Sequence, residues 1–128
     1  MTATRDEAID LIQTTYYNGI DAGDMVRACS ALAENVDWSH AQVWAHHGFA
    51  RAEPSRFSTR AEVEDFLSAR VDQLAEAKIR HRIDTLVYED GKGAFLGLVE
   101  GPGGETKPFF VWFEIEDGKI SRYTLRPI

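Results

Sequence analysis

Residues 79–126 hold four strand-like stretches separated by tight-turn signals, and this pattern limits the fold more than any other feature. The runs are Ile79–Tyr88, Ala94–Glu100, Lys107–Glu116 and Lys119–Arg126. Between them stand Glu89-Asp90-Gly91-Lys92-Gly93, Gly101-Pro102-Gly103-Gly104 and Glu116-Asp117-Gly118. Each offers a Gly or Asp-Gly that tolerates the positive φ angles of a hairpin turn. Four strands joined this way predict a mostly antiparallel sheet.

Such a sheet ordinarily keeps one face wet. Here residues 94–99 read AFLGLV and residues 109–113 read FFVWF, apolar on both parities. The odd set is Phe95, Val99, Phe109, Val111, Phe113 and Ile115, followed on the last strand by Ser121, Tyr123 and Leu125. The even set is Leu96, Leu98, Phe110 and Trp112. Helices can cover one face only, so the other forms an apolar patch too large for a comfortable monomer. The expectation is a homodimer in which the even set meets its symmetry mate. The competing arrangement is a monomer whose own loop or terminus covers that face.

The covering helices are legible upstream. Thr4 and Glu7 form a capping box, and Ile9, Ile12, Tyr16 and Ile20 follow at helical spacing. The first helix is expected over about residues 5–21. Gly23 suits the reversal, Asp24 caps a second helix, and Met25, Ala28, Cys29 and Leu32 form its apolar stripe. Val36–Ala41 alternates as a half-buried strand with Val36, Trp38 and His40 on one side. Residues 42–57 lack a period and read as a long loop, a lid or simply a connection. Thr59 and Glu62 form a second capping box, and Val63, Phe66, Leu67 and Leu74 give a third helix its buried face, ending near Ala77. The layout is α+β: three helices on one face of a sheet.

A chain of 128 residues suits one domain, residues 1–128. The net charge of −7 argues against nucleic acid, which demands a basic stripe. The lone Cys29 cannot form an intrachain disulfide, MTATRDEAID does not read as a signal peptide, and no apolar run approaches a membrane span. A reducing, cytoplasmic setting without membrane contact is the expectation.

Several side chains invite a chemical reading. An imidazole has an ordinary pKa near 6.5 and exchanges protons at neutral pH. His40 shares the inward parity of Val36 and Trp38; its competing role is a structural histidine bonded to backbone. His81 alternates with Arg80 and Arg82, and so faces inward with Ile79 and Ile83. Tyr16 lies on the apolar stripe, and a buried phenol seeks a partner; Tyr17 is expected to face elsewhere. Trp38 and Tyr123 are pocket lining or core. His46 and His47 fall short of the three or four converging ligands a metal needs. Arg51, Arg56 and Arg60 can pair an anionic substrate group or simply neighbouring acids. No Gly-rich phosphate loop and no Ser-centred nucleophile elbow is present, so no cofactor is expected.

The order of elements, the Asp-Gly-Lys-Ile turn at residues 117–120 and the doubly apolar sheet resemble the nuclear transport factor 2-like superfamily, which includes SnoaL-like proteins and ketosteroid isomerase. The resemblance covers essentially the whole chain. It implies a cystatin-like cone, a curved sheet wrapped around helices with a pocket at the open end, usually as a dimer. Over residues 16–40 the chain is most similar to ketosteroid isomerase, whose helix-1 tyrosine falls on Tyr16 and whose base falls on His40 in place of an aspartate. Its second oxyanion acid falls near Val111, which cannot donate a hydrogen bond, so steroid isomerisation by that route is not implied. The limonene-epoxide hydrolase carboxylates have no counterpart among the inward strand positions. The scytalone dehydratase branch has a strand histidine at a place similar to His81.

The resulting expectation is a cofactor-free acid–base enzyme, an isomerase, dehydratase or cyclase, acting on a small, largely apolar molecule. His40 is the expected base, His81 its partner or the acid, and Tyr16 the oxyanion donor. Trp38, Phe95, Val99, Phe109, Val111, Phe113 and Tyr123 are the expected substrate wall. The alternative is a non-catalytic dimer that binds a hydrophobic small molecule. A third reading is an interaction module pairing its sheet with another protein.

Overall fold

The Asp-Gly turns act as read: Asp90 and Gly91, and Asp117 and Gly118, all take positive φ. They close hairpins between β3 (Arg80–Glu89) and β4 (Lys92–Glu100), and between β5 (Thr106–Glu116) and β6 (Lys119–Pro127). The computed structural model describes residues 2–43, 53–72, 78–101 and 103–128. Trp44, His46, His47 and Arg51 lie outside the described residues, so the loop around them and any role for the His pair are left as expectations.

Two further strands complete a six-stranded sheet, β1 (Leu32–His40) and β2 (Ser55–Phe57), in the order β2-β1-β6-β5-β4-β3. Every pairing is antiparallel except β1 with β6. Strand β1 begins earlier than its alternation suggested. The β1–β6 register shifts between Leu32 and Asp37, so a clean period appears only after the irregularity. Strand β2 was hidden in the aperiodic stretch because three residues are too few to show a period; it pairs Trp38 with Phe57 and His40 with Ser55.

Helix α1 spans three consecutive segments: α-helical Arg5–Ile9, π-helical Asp10–Tyr17 and α-helical Asn18–Asp21. The Thr4 and Glu7 capping box closes its start. Helix α2 (Met25–Cys29) is capped by Asp24 and ends before Leu32, which instead opens β1. Helix α3 (Arg60–Ser68) is capped by Thr59. Its expected continuation to Ala77 runs into residues 73–77, which are not described. Gly19 faces Ala28 so closely that a Cβ there would strike the α2 backbone at 2.9 Å, which fixes how the first two helices cross.

The three helices pack against one face of a curved, mostly antiparallel sheet. Phe95, Val99, Phe109, Val111 and Phe113 are buried beneath them, together with Tyr123 and Leu125. Gly97 lies under the Phe109 ring and Gly93 under the Phe113 ring, and a Cβ at either would collide with the aromatic carbons. Two glycines covered by rings, and a register shift between Ile83 and Thr85, accommodate the bend. One inward position is corrected. A bulge between Glu114 and Ile115 changes the parity, so Ile120 is buried in place of Ser121, whose hydroxyl donates to the Glu114 carbonyl at 3.2 Å. On the outer face Leu96, Phe110 and Trp112 remain 43%, 41% and 38% exposed. Among the described residues no helix is long and apolar enough to cross a membrane.

Candidate active site

Asp21 closes helix α1, where the negative end of the helix dipole disfavours a carboxylate. It therefore needs donors, and His81 on β3 supplies two. Asp21 Oδ1 lies 2.7 Å from His81 Nδ1, and Oδ2 accepts the His81 backbone N–H at 2.8 Å. The two side chains are 5% and 14% exposed. A carboxylate on Nδ1 holds the proton there and leaves Nε2 as the basic atom. Gln13 fixes the same strand from its backbone side. Its Nε2 donates to the His81 carbonyl at 3.0 Å, and its Oε1 accepts the Ile83 N–H at 2.8 Å. Because β3 is an edge strand, these bonds also occupy backbone groups that would otherwise be open.

His81 lines a cavity between α1, α3 and the sheet, shared with Tyr16, Tyr17, Trp38, His40 and Tyr123. Tyr17 stacks on His81 with ring centres 5.2 Å apart and planes 17° apart. Its hydroxyl lies 2.7 Å from that of Tyr123. The expectation that Tyr17 points away is therefore overturned. Both tyrosines lie in the π-helical segment, whose wider turn brings successive side chains closer around the axis.

Three phenols thus project into one apolar space. The Tyr16 hydroxyl accepts the Trp38 Nε1–H at 2.9 Å and, among the described residues, has no acceptor for its own proton. Within the Tyr17–Tyr123 pair one hydroxyl donates to the other, so one proton is left over. Burial pushes all three phenols well above the usual tyrosine range and keeps them protonated. The cavity therefore presents two O–H donors beside the Asp21-bound imidazole of His81.

His40 lies on the cavity wall, half-buried, its ring stacked on Trp38 at 5.4 Å and 5°. Its pKa falls to about 3, chiefly because burial penalises the cation, with the neighbouring His81 ring and the Arg70 and Arg126 guanidiniums acting in the same direction. At neutral pH His40 is an uncharged imidazole.

Of the expected wall, Trp38, Val99 and Tyr123 line the cavity. Phe95, Phe109, Val111 and Phe113 do not; they pack deeper in the core, with Phe109 set edge-on against Tyr17 and His81. Arg56 and Arg60 pair with strand acids, Asp37 at 3.8 Å and Glu34 at 3.5 Å. Cys29 is buried in the core, its thiol pushed up to about 11 by burial.

Asp21, Gln13 and Tyr17 were missing from the sequence-based site. Their one available signal was spacing: Gln13, Tyr17 and Asp21 recur every four residues and share a helix face.

The sequence model of the SnoaL-like domain matches residues 14–123, a span that includes Tyr16, Tyr17, Asp21, His40, His81 and Tyr123. The chain belongs to the SnoaL-like family. No curated protein matches it. Solved structures similar to this SnoaL-like protein include a candidate polyketide cyclase from Xanthomonas campestris pv. campestris, 22% identical over 96% of this chain and 91% of that one, with a TM-score of 0.66. A candidate ketosteroid isomerase from Kribbella flavida is 19% identical over 94% of this chain and 76% of its own, with a TM-score of 0.65. TerC, co-crystallised with polyporic acid, is 20% identical over 95% and 92%, with a TM-score of 0.70. At these identities the likeness shows the shared NTF2-like fold.

Proposed function

We propose that this SnoaL-like protein is an acid–base enzyme that moves a proton next to a carbonyl group, the step common to isomerases, dehydratases and cyclases of this kind. The observation that carries the reading is the Asp21–His81 pair opening onto the same cavity as the tyrosine hydroxyls. His81 Nε2 takes the proton, with Asp21 holding the ring and offsetting the imidazolium charge that forms. Tyr16, and whichever of Tyr17 and Tyr123 has a proton to give, donate to the developing oxyanion. Donors fixed in an apolar site need no reorientation as that charge develops. The base role expected at His40 passes to His81, because a group with a pKa of about 3 accepts a proton poorly at neutral pH. Names borne by similar folds, a candidate polyketide cyclase and a candidate ketosteroid isomerase, are consistent with carbonyl chemistry.

The test uses 2-tetralone, a small apolar ketone with acidic α-protons, in deuterated buffer. NMR should show α-deuteration accelerated by the protein and slowed by about 10²–10⁴-fold in His81→Gln. No acceleration by the wild-type chain, or equal acceleration by the variant, would leave a non-catalytic binding cone as the better description.

We also propose that two copies pair through the outer sheet face. The exposure of Leu96, Phe110 and Trp112, neighbours across β4 and β5, supports this, with the partly buried Leu98 beside them. A reducing, cytoplasmic setting is the further expectation, in keeping with Cys29 as a buried free thiol.

A further inference from the structure

The Trp38 indole carries an N–H that donates and has no atom that accepts. Its bond to Tyr16, at 2.9 Å, therefore runs in one direction only: the indole gives and the phenol oxygen receives. The Tyr17–Tyr123 pair differs, because either hydroxyl there can be the donor. With one side of its oxygen taken, Tyr16 turns its own proton away from the indole, and among the described residues no acceptor meets it. Tyr16 is thus the phenol whose proton is committed to the cavity it lines. Trp38 is 0% exposed and Tyr16 1%, so water does not compete for the bond. In such surroundings an N–H donated to a hydroxyl oxygen polarises the O–H, and each bond in the chain strengthens the next. It also offsets the negative charge that gathers on that oxygen as Tyr16 donates.

The indole is held in turn. His40, Phe57 and Tyr123 stack near-parallel to it with ring centres 5.4, 5.8 and 6.1 Å away, and Phe66 meets it edge-on at 5.5 Å. The sheet sets this arrangement, since Trp38 pairs with Phe57 across β2 and with Tyr123 across β6. Rings packed on these sides fix the plane of the indole and with it the direction of the N–H. His40, expected as the base, serves here as one wall of that seat.

We propose that Trp38 is a positioning residue: by occupying the Tyr16 oxygen, its indole N–H directs the Tyr16 proton to the ligand and strengthens it as the donor to a bound carbonyl. The proposal rests on the acid–base reading for Tyr16 as that donor, and on the Trp38–Tyr16 bond for how the donor is set.

Trp38→Phe would open a void in the core, so the test replaces Trp38 by benzothienylalanine, which keeps the shape and puts sulfur in place of the N–H. The probe is 2-tetralone, isotope-labelled at its carbonyl carbon and followed by infrared spectroscopy. Bound to the wild type, its carbonyl band should be lowered by the Tyr16 hydroxyl. In the sulfur isostere the band should move back toward its position in Tyr16→Phe. Deuteration of 2-tetralone should slow by about fivefold, in kcat and with KM little changed. In a Tyr16→Phe background the isostere should cost no further rate, because its effect passes through that hydroxyl. A wild-type band that is not lowered, a band unmoved by the isostere, or an equal further loss in the Tyr16→Phe background overturns the proposal; the last outcome marks plain packing. His81→Gln separates the two ideas. If deuteration depends on His81 but the band ignores the isostere, only the positioning role fails. If the band follows the isostere but His81→Gln has no effect on deuteration, only the acid–base reading fails.

Discussion

Asp21 holds His81 at two points, accepting from the ring nitrogen at 2.7 Å and from the backbone N–H at 2.8 Å. Both carboxylate oxygens are therefore used as acceptors. Asn has one acceptor oxygen, so Asp21→Asn sets an amide N–H against one of the two His81 donors. The variant should lose most of the α-proton exchange, by about 10²–10⁴-fold, because the proton is no longer fixed on Nδ1. Nitrogen NMR of the His81 ring checks the cause: a pure Nδ1–H form in the wild type, and a mixture in the variant. An unchanged tautomer in a variant with reduced exchange rules out this explanation. Asp21→Ala leaves the His81 ring N–H and backbone N–H without their acceptor and should also destabilise the fold, by about 1–3 kcal/mol.

Tyr16 and Tyr17 separate oxyanion donation from packing. Tyr16→Phe removes one O–H donor and leaves the Trp38 N–H without its acceptor. Exchange should fall by about 10²–10³-fold. Stability should fall by about 1–3 kcal/mol, from the stranded indole donor. In Tyr17→Phe, Tyr123 keeps its own hydroxyl proton, so exchange should fall less. Rates and urea midpoints for both variants check this, and a larger catalytic loss in Tyr17→Phe would reverse the assignment.

His40 links stability to pH. Its folded pKa of about 3 lies below the ordinary value of 6.5, so the unfolded chain binds the proton more readily. Its contribution is fully present above pH 6.5 and is lost progressively as pH falls from there toward 3. Between pH 7 and pH 4.5 the wild type should lose about 1–2 kcal/mol more than His40→Gln, after allowance for the partial exposure of the ring. Urea unfolding at the two pH values measures the difference. Parallel pH dependence in the two proteins would show that the ring is readily protonated in the folded state.

Trp112 and Phe110 test the outer face. Trp112→Glu or Phe110→Glu places a charge in the middle of the expected dimer contact while leaving the inward core untouched. Sedimentation should show a wild-type dimer and variant monomers, with similar circular dichroism. A wild-type monomer at micromolar concentration removes the dimer proposal.

The α+β layout, the hairpins and the inward set of β4 and β5 were legible because each follows from a local rule. Asp90-Gly91 and Asp117-Gly118 take the φ values that their side chains permit, and the alternation of Phe95, Val99, Phe109 and Phe113 assigns one face to the core. The bulge before Ile115 defeated that alternation at Ser121, since the extra residue it places on β6 turns Ile120 inward while Tyr123 and Leu125 keep their expected face. Strand β2 was too short to have a period of its own. The candidate site was only half legible. Tyr16, His40 and His81 could be picked out by residue type and parity, but Tyr17 entered the cavity through a local widening of α1 that no propensity signals. The pairing of Asp21 with His81 joins residues 60 positions apart and exists only because helix α1 ends beside the edge of β3. Sequence alone therefore determined most of the inward set of the strands, since that depends on neighbours along the chain, but not the direction of Tyr17 or Ser121. Tertiary structure decided what surrounds each imidazole, since burial and neighbouring charge come from residues distant in the chain: Asp21 at His81, and Arg70 with Arg126 at His40.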